Sequence, residues 1–188
     1  PWCYIASIAL YLTVPVGDFV IFRKLWRLPP EGFVALLKKG VANEVVLGYA
    51  GEAYFYAWAK TRTEMVAAPF GAVKDVSILS ALAGNVVTLL LVVLALPFAY
   101  NALPTNLGAS LGWSVALVVA TSLPFLVFSR RGFSLPRQVL RWVFWVHAAR
   151  LVASTLLIAL VWRFGRPEIA LGSLMILSAG RMLVGRLP

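Results

Sequence analysis

The chain contains one cysteine, one histidine and seven acidic residues in a length of 188. Cys3 alone cannot close an internal disulfide, and without a Cys/His cluster no ligand set for a metal exists. A nucleophile elbow, an Asp-rich metal motif and a phosphate-cradling glycine loop are also missing. No cofactor is therefore expected. Ser110 or Ser114 with His147 would suit intramembrane proteolysis by count, but no motif accompanies them. Nor is any stretch left for a soluble domain once the apolar runs are set aside.

Apolar surface is what the chain has in excess. It is 61% hydrophobic with a mean hydropathy of +0.87, against roughly 45–50% apolar content in ordinary soluble domains. Runs at residues 76–96, 111–128 and 151–162 approach the ~20 residues that a spanning helix needs. The fold class this predicts is all-α: a polytopic membrane helix bundle forming a single transmembrane domain over residues 1–188. Residue 1 is Pro, and residues 185–188 carry no evident stop to the architecture, so the chain is expected to be a fragment of a longer one. The first segment has no basic n-region or small-residue cleavage site and reads as a spanning helix.

The net charge of +10 falls in clusters between the apolar runs, a pattern of topology and not of a nucleic-acid partner. Arg23, Lys24 and Arg27 form one cluster, Lys60, Arg62 and Lys74 a second, and Arg130, Arg131, Arg137 and Arg141 a third, whereas residues 97–110 carry no charge. The positive-inside rule places the three clusters in the cytoplasm and residues 97–110 on the other side. Arg163 and Arg166 fall in an outer turn and count mildly against that placement. Small residues Gly172, Ser173, Ser178, Ala179 and Gly180 suit close packing of a last helix, and Arg181 and Arg186 are expected to mark the cytoplasmic face again. The result is an outside N-terminus, a cytoplasmic C-terminus, five clear spans and a hairpin at residues 32–60.

That hairpin is the informative segment. Pro29, Pro30 and Glu31 read as a helix start. Phe33, Leu36, Leu37, Val41 and Val45 form one face of the helix that follows, with Lys38 and Lys39 expected to snorkel to the interface. Between the basic flanks the chain must leave and regain one side, and Gly48 and Gly51 interrupt it. A full helical hairpin would need roughly 40 residues at ~1.5 Å each. Two short tilted helices or a re-entrant hairpin both fit, and both imply a cavity, because irregular backbone at membrane depth survives only inside protein or beside a polar space.

Asn43, Glu44 and Glu52 stand in this apolar context, where ionisable groups are expensive and need a cation, a donor or water. Lys60, Arg62 and Arg150 are the cations considered for them. Arg150 shares a helical face with His147, three residues away; His147 is read as a packing residue and Arg150 as a phosphate-binding candidate. Tyr49, Tyr54, Tyr56 and Trp58 suit an interfacial aromatic belt or stacking on a headgroup. Asp18 lies little more than one turn from Arg23 and is expected to pair with it, and Asn85 is read as an interhelical hydrogen-bonding residue.

Within residues 27–97, Asn43 is followed at eight and nine positions by Gly51 and Glu52, then by Lys60 and Arg62, then by a long apolar helix. This pattern resembles the transmembrane flippase-like family that includes the membrane region of lysylphosphatidylglycerol synthetases. Residues 179–188 fit a later helix end of the same kind. Leu47 stands where the family usually has Pro, Phe55 where it has a basic residue, and Tyr49 at a position often basic, departures that bear on the charge of the substrate. The resemblance implies a protein of the bacterial cytoplasmic (inner) membrane that handles or translocates a polar-headgroup lipid. Its partners would be membrane lipids or a lipid-linked headgroup, with a membrane protein partner in reserve. Asn43, Glu44, Gly48, Gly51, Glu52, Arg62 and Arg150 are the candidate substrate-binding or translocation residues. The alternatives are a non-transporting membrane subunit or scaffold and a membrane-embedded lipid-modifying enzyme.

Overall fold

Among the described residues six helices carry the fold: α1 (Trp2–Trp26), α2 (Gly32–Val45), α3 (Ala50–Lys60), α4 (Pro69–Ala99), α5 (Arg137–Gly165) and α6 (Leu171–Val184). The structure, a computed structural model, describes residues 2–46, 50–63, 69–99, 112–113, 115–117, 119–120 and 132–184. No strand occurs among them. Most of the expected span at residues 111–128, and most of the uncharged connector before it, falls outside the described residues.

Three helices, Trp2–Trp26, Phe70–Leu94 and Arg137–Gly165, are long and apolar enough to cross a membrane. This is an integral membrane protein of the all-α bundle class. Ile5, Ile8, Leu90, Val93, Trp145, Leu156 and Leu160 stand exposed on these helices, as lipid-facing side chains should, since acyl chains solvate them as well as a protein core would.

Length bears on the hairpin. With 14 and 11 residues, α2 and α3 extend about 21 and 16 Å at 1.5 Å per residue, each short of the ~30 Å hydrocarbon core. They pack on each other, the arrangement that a re-entrant pair would have. α1 ends where Arg27 adopts a left-handed backbone (φ 51°), and Pro29 and Pro30 then prevent the helix from resuming. Gly32 and Phe33 donate back to the carbonyls of Pro29 and Pro30 at 2.9 and 3.0 Å, opening α2 in a tight first turn.

α5 is the central post, packed against α1, α4 and α6, whereas the backbone of α1 reaches neither α4 nor α6 among the described residues. α5 runs antiparallel to α1: Lys24 lies over the Trp142 ring at 4.0 Å, and Thr13 bonds Ser154 at 2.8 Å. α4 starts beside the start of α5. There Asp75, fully buried, accepts hydrogen bonds through Oδ2 from the backbone N–H groups of Ser134 (2.6 Å) and Leu135 (2.8 Å), while Lys74 donates to the Gly132 carbonyl at 2.6 Å. α4 thus caps the approach to α5, satisfying donors that precede the helix.

Basic residues from the end of α1, the start of α4 and the start of α5 therefore gather at one end of the bundle. The apolar core lies at that same end, where Ile21, Phe22, Trp26, Phe55, Ala72, Val76 and Val143 are buried together. Phe55 is its hub, with ring centroids 4.7 Å from Phe22, 6.1 Å from Trp26 and 6.3 Å from Trp58. At the opposite end Arg163 donates to the carbonyls of Pro167 and Ile169, and Arg166 pairs with Glu168 at 3.1 Å. These two cations close the α5–α6 turn, which accounts for their presence away from the basic end.

Candidate functional site: a charged cavity at mid-depth

Each inward face changes chemistry as its helix leaves the basic end. On α2 the buried stripe is Gly32, Ala35, Leu36 and Lys39, and Asn43 continues it one turn later. On α5 Val143 is followed by His147, Arg150 and Ser154, and on α1 the apolar Ile21 and Phe22 give way to Asp18. The polar ends of these stripes converge on a cavity of about 670 Å³. Asp18, Lys39, Asn43, Glu52, Ser80 and Arg150 line its floor, and it extends past Thr13, Tyr11 and Ser7 toward the end of α1 remote from the basic clusters.

The floor is an ordered line of alternating charge. Glu52 Oε1 lies 3.5 Å from Lys39 Nζ, Lys39 Nζ donates to Asp18 Oδ2 at 2.6 Å, and Asp18 Oδ1 lies 3.7 Å from Arg150 Nη1. Arg150 also donates from Nη2 to Ser80 Oγ at 3.0 Å. The four ions come from α1, α2, α3 and α5, so the line ties the α2–α3 pair to the spanning bundle. Isolated burial would cost each ion several kcal/mol, and only mutual pairing makes the group tolerable.

Two glycines permit this line. A Cβ at Gly17 would stand 2.8 Å from Arg150 Cδ, so only glycine lets the Arg150 stem lie across α1 beside Asp18. A Cβ at Gly51 would collide with the Lys39 carbonyl oxygen and stand 2.7 Å from Asn43 Oδ1. In that space the Gly51 N–H donates to Asn43 Oδ1 at 2.7 Å, so Asn43 caps the start of α3 from the neighbouring helix. The spacing of Asn43, Gly51 and Glu52 has a physical meaning: a cap, the room for it, and the acid that the cap positions over Lys39.

Of the candidate residues, Asn43, Glu44, Glu52 and Arg150 line the cavity, and Gly51 is buried behind it. Gly48 lies outside the described residues, as do Leu47 and Tyr49. Arg62 does not line the cavity: it is exposed, hydrogen-bonds Thr61 and places its guanidinium 5.4 Å from the Trp58 ring. Trp58 joins the Phe55 stack and Tyr56 meets the Phe70 ring edge-on at 5.8 Å; neither lines the cavity.

Three further expectations are overturned. Asp18 pairs with Lys39 and Arg150, not with Arg23, whose guanidinium rests 5.7 Å from the Phe19 ring. Lys39 does not snorkel; only 8% of it is exposed. Arg181 does not mark the basic end but lines the cavity with Arg150 and Ser154, because α6 returns antiparallel to α5 and Met182 meets Thr155 near the middle of that helix. Asp18 had a readable signal as the sole Asp, Glu, Lys, Arg or His of residues 2–22. His147, read as a packing residue, is fully buried and also contributes to the cavity wall.

Comparisons with protein-family models, with curated proteins and with solved structures return no match. The site must therefore speak through its own geometry.

Proposed function

We propose that this chain is a flippase-like membrane protein that handles or translocates a polar-headgroup lipid through the mid-depth cavity. The observation that carries the reading is the line Glu52–Lys39–Asp18–Arg150, which holds four ions between apolar spanning helices with Glu52 Oε2 and Arg150 Nε still unpartnered. A cavity of this size suits a headgroup, while the exposed apolar faces leave acyl chains in lipid. The Asn43–Gly51 contact supports the resemblance to the flippase-like family by giving its spacing a structural use. The bacterial cytoplasmic membrane, with the basic end in the cytoplasm, is the location that goes with this reading.

Purified protein in liposomes should accelerate exchange of an acyl-labelled phospholipid between leaflets, and Glu52→Gln or Arg150→Ala should slow it at least tenfold in protein that remains monodisperse. If instead both substitutions lower only the amount of folded protein, with no loss of rate per folded molecule, the chain is a structural subunit.

A further inference from the structure

Resting on that reading, we infer that the cavity selects a zwitterionic headgroup with a primary ammonium, which Glu52 accepts while Arg150 and Ser80 take the phosphate. The floor is a chain of charges ordered acid, base, acid, base, and its inner members, Lys39 and Asp18, are consumed by each other at 2.6 Å. The terminal members are not. Glu52 keeps a buried acceptor, Oε2, and Arg150 a buried donor, Nε, without a hydrogen-bond partner. One end of the line thus requires a donor and the other an acceptor, and a ligand answering both carries a positive and a negative group.

Charge balance points the same way. Among the described residues, Asp18 and Glu52 face Lys39 and Arg150 on the buried floor, two acids against two bases, with the exposed Glu44 and Arg181 balancing at its margin, so a ligand with net charge would add an uncompensated ion to a site of low dielectric. An anionic glycerol-type headgroup satisfies Arg150 but offers Glu52 only neutral hydroxyl donors and leaves the site with a net negative charge. Hydroxyls support the phosphate end. Ser80 Oγ accepts from Arg150 at 3.0 Å, which leaves its proton free to donate, and Ser77 lines the same wall.

The amine must carry N–H groups. Glu52 Oε2 needs a hydrogen bond, which a trimethylammonium group cannot give. Quaternary ammonium ions are instead held by aromatic cages, and among the described lining residues Tyr11 is the sole Phe, Tyr or Trp. A phosphoethanolamine-type lipid meets all these demands; a phosphocholine-type lipid fails at the amine.

The test uses proteoliposomes with trace acyl-chain-labelled phosphatidylethanolamine, phosphatidylcholine or phosphatidylglycerol, read by chemical quenching of the outer leaflet. The inference requires the ethanolamine lipid to move at least tenfold faster than either of the others, and Glu52→Gln to bring the ethanolamine-to-choline ratio to near one. Equal rates for the three lipids, or a ratio unchanged by Glu52→Gln, would overturn the inference while leaving lipid translocation intact. No acceleration of any lipid over protein-free vesicles removes the translocation reading itself, and the inference with it. Soluble glycerophosphoethanolamine should not inhibit at concentrations comparable to the intact lipid; inhibition at that level would make the ligand a solute and overturn the lipid assignment.

Discussion

The two halves of this bundle are made from the same helices and differ by one or two turns along each. At the basic end, Phe22, Trp26, Phe55 and Val143 fill the space between α1, α3 and α5, and the buried ion there, Asp75, spends its Oδ2 on two backbone donors. One step further along, Asp18, Lys39, Glu52 and Arg150 occupy the equivalent inward positions, and the packing opens into a cavity. Ions at the packed end fasten helices through backbone donors, whereas ions at mid-depth pair with one another beside open space. In a bilayer, where burying apolar surface in protein gains little over leaving it in lipid, polar pairing and close packing distinguish one inward face from another.

The sharpest challenge to this contrast is Lys39→Met. It leaves Asp18 and Glu52 as neighbouring buried acids without their shared cation, and breaking a buried pair in this way costs about 3–5 kcal/mol. Thermal unfolding in detergent should show the loss, and adding Asp18→Asn should recover part of it. If Lys39→Met cost no more than an exposed substitution, the line of charge would not be holding the α2–α3 pair. At the basic end, Asp75→Asn removes the charge from two backbone hydrogen bonds while keeping the shape, and should cost about 1.5–3 kcal/mol. Lipid selectivity should be unaltered by it, which separates fastening from binding. Asn43→Ala removes the cap on α3 and should cost about 1 kcal/mol, with faster amide exchange at Gly51. The smallest effect belongs to the exposed outer turn. Glu168 titrates below the usual carboxylate range because its own backbone N–H and Arg166 favour the charged form. Its contribution is complete above the unfolded-state value and lost as pH falls through the lower folded value. Glu168→Gln should therefore flatten a slight acid-side loss in melting temperature, and added salt should erase the difference.

The spanning helices were readable because runs of apolar residues declare themselves: the first segment, read as a spanning helix, is α1, and the runs at 76–96 and 151–162 lie within α4 and α5. The inward faces were not readable from hydrophobic periodicity. On α2, Val41 and Val45 belong to the apolar stripe of the sequence yet are exposed, while the buried stripe holds Lys39. Lipid accepts the valines, so periodicity reports contact with anything apolar, whether protein or bilayer. Asn43, Gly51 and Glu52 were legible because their spacing is local to one hairpin. Asp18 with Lys39 and Arg150 was not, since those pairs join helices far apart in the chain and nothing in the sequence fixes which faces meet. Phe55 shows the converse: read as a departure affecting substrate charge, it is the hub of the packed end.

Both regions meet on α4, where Ser80 lines the cavity and Ala72 is sealed in the core about two turns nearer the basic end. In a background in which Cys3 is replaced by serine, Ser80→Cys and Ala72→Cys can be challenged in oriented vesicles with a charged, membrane-impermeant thiol reagent. The account predicts that the residue at position 80 reacts from the side opposite the basic clusters and that the one at position 72 stays unreactive from both. Equal protection of the two, or reaction at position 80 only from the basic side, would contradict a polar cavity extending away from a packed basic end.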